Sequence, residues 1–218
     1  MLSKKKIREL IDVISQMYPD ATVALHFETT FQLLIAVTLS AQTTDVAVNK
    51  VTPALFAAYP TPEAMATADI HDVMDKIKTI GLYRNKAKNI IACSQQLVSE
   101  FNGVVPHTMK ELTSLPGVGR KTANVVMSVA FNIPAFAVDT HIERIAKRLR
   151  MVPEKANVRD VERVITDAIP KERWNRLHHQ MIYFGRYFCT AKNPHCSECP
   201  LVHDCKVGAK FLKDQEKE

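Results

Sequence analysis

"LPGVGRKTANVV", residues Leu115 to Val126, decides how the chain is read. Pro116 and two glycines, Gly117 and Gly119 on either side of Val118, come just before an apolar run that starts near Arg120. Glycine admits positive φ and lets a ligand come close to main-chain N–H groups. The helix predicted from Arg120 leaves its first N–H groups unpaired and pointing the same way, so turn and helix end together form a seat for a phosphate. A hairpin of this kind grips a nucleic-acid backbone without reading bases. The plain alternative is a helix–helix turn whose glycines serve only tight packing.

Lys121 stands at the mouth of that helix. An amine attacks only when neutral, and an ordinary lysine is about 0.1% neutral near pH 7.4. The field of a helix end, about 0.3–1 kcal/mol, changes that fraction less than tenfold. A reactive lysine therefore needs desolvation or a neighbouring cation as well. Arg120 and the apolar neighbours at helical spacing, Val125 and Val129, are the expected sources, with the lysine stem lying against the core. Taken alone, a surface charge is the simpler reading of one lysine.

Working outward, 218 residues with 46% apolar content suffice for one substantial core or two modest ones. The excess of 29 basic over 23 acidic residues, a formal charge of +6, leans toward anionic partners without naming one. In "MLSKKKIRELIDVISQMYPDA" the apolar residues Ile7, Leu10, Ile11, Ile14 and Met17 recur at helical spacing among charges, which is no signal peptide. No apolar run approaches a membrane span, so a soluble, cytoplasmic protein with no membrane partner is expected.

Helical patterns dominate, and alternating strand patterns of useful length are missing. Ser3 is placed to cap a first helix with a basic face of Lys4, Lys5, Lys6 and Arg8. "FQLLIAVTLSAQ" (Phe31 to Gln42) is apolar nearly throughout, as a helix enclosed on most sides would be, although a strand fits the pattern too. Thr61 and Pro62 form a cap and first-turn pair, Gly81 breaks two helical runs, and Asn102-Gly103 closes the second. "IKTIGLYRNKAKNII" (Ile77 to Ile91) also echoes "LTSLPGVGRKTANVV" (Leu112 to Val126) once Pro116 is skipped, pairing Ile77 with Leu112, Ile80 with Leu115, Gly81 with Gly117, Ala87 with Ala123 and Ile90 with Val126. The rival account is that any two helical hairpins look alike. The predicted fold is all-α.

"VDTHIERIAKRLR" supplies a carboxylate. Thr140 and Glu143 make a T-x-x-E capping box, which would place Asp139 one residue outside the helix and free for other work. A carboxylate with a lysine is the pair expected for cleaving an N-glycosidic bond: one stabilises the cationic sugar and helps move protons, the other captures C1′ as a Schiff base.

"LPGVGRKTANVV" with "VDTH" resembles the helix-hairpin-helix/Gly-Pro-Asp superfamily of DNA glycosylases, and most nearly its endonuclease III branch. "LLIAVTLSAQTTDVAVNK" and "IKTIGLYRNKAKNI" extend the similarity over roughly Leu10 to Cys205. The resemblance implies a two-lobed helical enzyme that binds double-stranded DNA, removes damaged pyrimidines, and cuts at the abasic site by β-elimination. Lys121 takes the place of the Schiff-base lysine and Asp139 that of the catalytic aspartate. Gln42 and Leu82 sit where the family fills the gap left by an extruded nucleotide; without the resemblance they read as a helix-end polar residue and a core contact. Gly117, Val118, Gly119, Arg120, His141 and Arg144 complete the expected DNA contacts. A central lobe is expected over about 22–131, with the hairpin motif at 112–126, and a second lobe over 1–21 plus 132–218.

Four of the five cysteines crowd together as Cys189-x6-Cys196-x2-Cys199-x5-Cys205. Such crowding points to a metal or cluster rather than disulfides in a reducing compartment. Four-cysteine zinc is the rival, although zinc modules usually show two short pairs and this pattern has one. The spacing is similar to the [4Fe–4S] loop of the resembled family, which makes a cluster held by 189–205 the stronger reading. Its expected role is structural, folding a short segment and presenting Lys192, Lys206 and Lys210 to phosphates. His195 and His203 are possible alternates that four thiolates leave without a place, and Cys93 reads as a buried structural thiol. Two other functions stay open at this stage: an adenine-mismatch glycosylase of the same superfamily, which generally lacks the lysine, and a non-catalytic DNA-binding scaffold.

Overall fold

The computed structural model describes residues 2–216. These residues form twelve α-helices and no strand: α1 (Lys4–Met17), α2 (Thr30–Leu39), α3 (Asp45–Ala58), α4 (Pro62–Ala66), α5 (Ile70–Ile77), α6 (Tyr83–Phe101), α7 (Met109–Ser114), α8 (Arg120–Phe131), α9 (Thr140–Arg148), α10 (Val158–Ala168), α11 (Trp174–Tyr183) and α12 (Lys206–Gln215). None is long and apolar enough to cross a membrane. The chain divides into two compact units, one spanning Ala24–Ile133 and the other joining the chain up to Val23 with the chain from Pro134 onward.

In the Ala24–Ile133 unit, α2 is the central post. Every residue from Phe31 to Leu39 is buried, as an all-round apolar helix must be. It packs against α3, α6 and α8, while α4 and α5 lie on α6. The helix stops at Leu39, three residues short of the apolar pattern, and Gln42 turns into the left-handed region at φ 54. Thr29, Thr44, Thr61, Asp69 and Thr108 each accept a first-turn N–H, a cap contributing about 1 kcal/mol. The exceptions here are α6 and α8, whose N-caps Leu82 and Gly119 offer no side-chain acceptor. The two echoing segments match in packing. Ile77, Ile80, Ala87 and Ile90 are buried, and so are their counterparts Leu112, Leu115, Ala123 and Val126.

In the other unit, Ile7, Leu10, Ile11 and Ile14 of α1 meet Ile142, Ile145 and Ala146 of α9 and Val161, Val164 and Ile165 of α10 in one core with Phe136 and Phe184. Fully burying such a side chain contributes about 1.5–3 kcal/mol. The buried, non-helical stretch Ala135–Val138 leads into α9, and His178 of α11 lies 2.8 Å from the Ala137 carbonyl through Nδ1. α11 runs into a π-helical turn, Phe184–Phe188, that delivers the chain to Cys189.

Candidate active site

The glycine hairpin uses its two glycines differently. Gly117 alone has positive φ, at 76°, and a Cβ there would stand 2.8 Å from Cβ of Asn89 on α6. Gly119 is extended, with φ −88 and ψ 174, and nothing lies within 4 Å of where its Cβ would be. Gly117 therefore makes the turn, and Gly119 keeps the approach to the first turn of α8 open. Gly117→Ala should lower stability by about 1–3 kcal/mol, read as a drop in melting temperature, because strain and clash add. Gly119→Ala should cost less than about 1 kcal/mol, since Gly is only a moderately better N-cap than Ala.

Val118, expected to touch DNA, points inward: it is 5% exposed and its N–H donates to the Leu115 carbonyl at 3.1 Å. It anchors the turn and leaves Gly119 and the start of α8 to face a ligand. Arg120 and Lys121 are both exposed at that end. The expectation that the Lys121 stem lies against the core fails. At the second position of α8 the side chain leaves the apolar face, which Ala123 and Val126 occupy, and no described residue pairs with it.

The first hairpin departs from its echo at the matching position. Gly81 is not left-handed; Leu82 is, at φ 60, and its side chain is 56% exposed where Val118 is buried. A bulky residue at positive φ is a conformational outlier, and an exposed leucine gains nothing from burial. Leu82 is therefore not the core contact that its sequence alone suggested. Gln42 repeats the pair of features: left-handed and exposed, in a turn beyond α2.

Asp139 requires a correction. It is not outside the helix but is the N-cap of α9, its Oδ1 accepting from the N–H groups of His141 and Ile142 at 2.9 Å each. The T-x-x-E box is absent, and Glu143 pairs with Lys147 at 2.6 Å. Both cap bonds use one oxygen, so Oδ2 stays outside the cap. His141 follows, half-buried, its Nδ1 3.1 Å from an Arg144 nitrogen.

Arg144, expected on DNA, is occupied within its own unit. It donates to the Gly185 carbonyl at 2.6 Å and twice to the Cys189 carbonyl. Desolvation by burial, with Arg148 alongside, pulls its guanidinium below the usual arginine range. One turn on, Arg148 donates to the Cys189 carbonyl and Sγ, the Thr190 carbonyl at 2.7 Å and the Ala191 carbonyl at 2.9 Å. α9 thus carries the carboxylate at its start and the anchors of the cysteine loop at its end. Lys206 is paired with Glu154 at 2.7 Å.

Cys189, Cys196, Cys199 and Cys205 line one small cavity, together with Phe188, Pro194, Val202 and Val207. Among the described residues no three His, Cys, Asp or Glu side chains gather closely enough for a single ion. A cluster presents separate irons to separate thiolates, so this donor set fits an iron–sulfur cluster better than tetrahedral zinc. Cys93 lies elsewhere, fully buried, its thiol pushed up to about 12 by desolvation.

Residues 35–171 match the model of the HhH-GPD superfamily of base excision DNA repair proteins, and residues 189–205 match the iron-sulfur binding domain of endonuclease III. The chain is 49% identical to endonuclease III of Bacillus subtilis (strain 168), covering 96% of each chain. It is 44% identical to that of Escherichia coli (strain K12), over 96% of this chain and 99% of the relative. It superposes with TM-score 0.95 and 50% identity on a trapped endonuclease III–DNA covalent intermediate, covering 97% of this chain and all of the other. The chain belongs to the endonuclease III family. As a member it is a base-excision-repair enzyme, a DNA glycosylase and AP lyase, and its cofactor is a [4Fe–4S] cluster. The iron-sulfur match begins on Cys189 and ends on Cys205. Relatives at 40–49% identity carry the endonuclease III name, which disfavours the adenine-mismatch and scaffold alternatives.

Proposed function

We propose that this endonuclease III-family chain removes oxidised pyrimidines from double-stranded DNA and then cuts the strand 3′ to the abasic site, with Lys121 as nucleophile and Asp139 as the assisting carboxylate. The observation that carries the reading is the exposed, unpaired Lys121 amine on the open first turn of α8, beside a hairpin suited to phosphate. A relative captured as a covalent intermediate with DNA supports a nucleophile of this kind.

The neutral amine attacks C1′ as the bond from C1′ to the base nitrogen breaks, and the departing base takes up a proton. Asp139 Oδ2 stabilises the positive charge that develops on the sugar and helps move protons. Ring opening gives a protonated Schiff base between Nζ and C1′. Loss of a C2′ proton then expels the 3′ phosphate oxygen, and water frees the lysine. Because Lys121 is exposed in the free protein, its dehydration is left to the covering nucleotide.

A base in the stack hides its glycosidic bond, so it must be flipped out, at a cost of a few kcal/mol. Gln42 and Leu82 fill the vacated space, an amide and an apolar wedge. The main-chain N–H groups from Gly119 and Arg120 hold a backbone phosphate, and His141 contacts the DNA beside Asp139. Cys189, Cys196, Cys199 and Cys205 hold the cluster, which when bound folds the loop as a rigid staple. All these groups are on one chain, which supports a monomer, and a DNA substrate supports a cytoplasmic, nucleoid-associated location.

Borohydride reduction during reaction with a panel of single-lesion duplexes tests the reading. A covalent adduct should form with thymine-glycol and abasic duplexes and not with an adenine mismatch. Removal of the mismatched adenine, or no adduct with thymine glycol, would overturn the substrate assignment.

A further inference from the structure

Gln42 and Leu82 stand at the ends of different helices, yet one side chain ties their turns together. Lys86, in the second turn of α6, is only 5% exposed, and its ammonium donates to Thr43 Oγ1 at 2.6 Å. Its main-chain N–H donates to the Leu82 carbonyl at 3.0 Å. One residue thus connects Leu82 directly with the neighbour of Gln42.

A fold has little reason to place an ammonium here. Taking a charge out of water is costly unless it is paired, and no described carboxylate pairs with Lys86. Burial alone pushes its pKa down. A methionine would fill the same space, and the matching position in the second hairpin, Thr122, is buried without a charge. Lys86 differs from Thr122 in reach: its stem crosses to the turn after α2. Both turns it joins contain a left-handed, exposed residue, Gln42 and Leu82.

We infer that Lys86 is a positioning residue which, by bridging Leu82 and Thr43, sets the spacing of Leu82 and Gln42 so that they enter the emptied base stack as a pair. The inference rests on the gap-filling reading of those two residues. It extends that reading to a third residue that need not touch DNA itself.

The test uses a substrate with a stack against one without. Schiff-base formation is followed by borohydride trapping on an abasic site in duplex DNA and on the same site in a single strand. Lys86→Met and Thr43→Val should slow the duplex reaction about tenfold and leave the single-strand reaction within about twofold, as expected for misplacement rather than lost chemistry. Thr43→Ser, which keeps the hydroxyl, should restore the duplex rate, and Lys86→Met should melt no lower than the parent. If Lys86→Met does not fold, Thr43→Val carries the comparison. Equal slowing on both substrates, or no slowing on the duplex, overturns the inference. Leu82→Ala, run alongside, separates it from the reading beneath. If Leu82→Ala shows no duplex-specific loss, gap filling itself fails; if it does while Lys86→Met and Thr43→Val do not, only the bridge fails.

Discussion

Lys121→Ala should abolish the borohydride-trapped adduct and lower strand cleavage by at least about 10³-fold, the scale seen when an enzyme's nucleophile is removed. The variant should remain folded. Lys121 is exposed, makes no hydrogen bond or ion pair with a described residue, and sits in a first turn that holds no acidic residue. A cation at the positive end of a helix opposes the helix dipole, so its removal should raise stability by about 0.3–1 kcal/mol or leave it unchanged. Loss of chemistry with no loss of stability separates a nucleophile from a structural lysine. Lys121→Arg keeps the charge and the phosphate attraction but not the reactive amine, and should bind abasic duplex normally without trapping. Trapping by Lys121→Ala at the parent's level would remove Lys121 from the mechanism.

That local penalty also explains why the hairpin was legible in sequence. Two cations beside a helix start, after paired glycines, satisfy no rule of helix building, and departures from such rules collect at functional sites. Helix existence was legible for the same kind of reason: Thr61-Pro62 and Asn102-Gly103 punctuate the chain with side chains whose roles are local. The cysteine spacing was legible because ligands must be covalently close. Properties decided by tertiary contacts were not. Whether Leu82 and Val118, similarly placed in echoing hairpins, turn out or in depends on the backbone at one residue. Lys86 was not singled out in sequence because a helical repeat gives its position but not the turn it reaches. Arg144 was expected on DNA and Arg148 drew no notice, because only the packed loop shows their donors on Gly185, Cys189, Thr190 and Ala191. Asp139 was misplaced by one residue because Asp139 and Thr140 are both good caps, and local sequence does not rank them; Glu143, the other half of the Thr140 box, goes to Lys147 instead.

The corrected register of Asp139 makes its two roles separable by experiment. Asp139→Asn preserves the cap, since an amide oxygen accepts the N–H groups of His141 and Ile142 as a carboxylate oxygen does, and Asn and Asp are nearly equal at this position. What disappears is the negative charge at the positive end of α9, about 0.3–1 kcal/mol, a fall in melting temperature of no more than a few degrees at this chain length. Base excision, by contrast, should fall about 10²–10⁴-fold, because an amide neither balances a cationic sugar nor carries a proton. Asp139→Ala should lose the same activity and a further 1 kcal/mol or so of stability, the cap itself. Single-turnover excision and thermal melting on the two variants therefore form a cross: equal in rate, unequal in stability. A parent-like rate for Asp139→Asn, with loss only in Asp139→Ala, would mean that the carboxylate builds the helix and nothing more. The arrangement that permits both roles is the use of Oδ1 for both cap bonds, which anchors the side chain by one oxygen and leaves the other for the substrate.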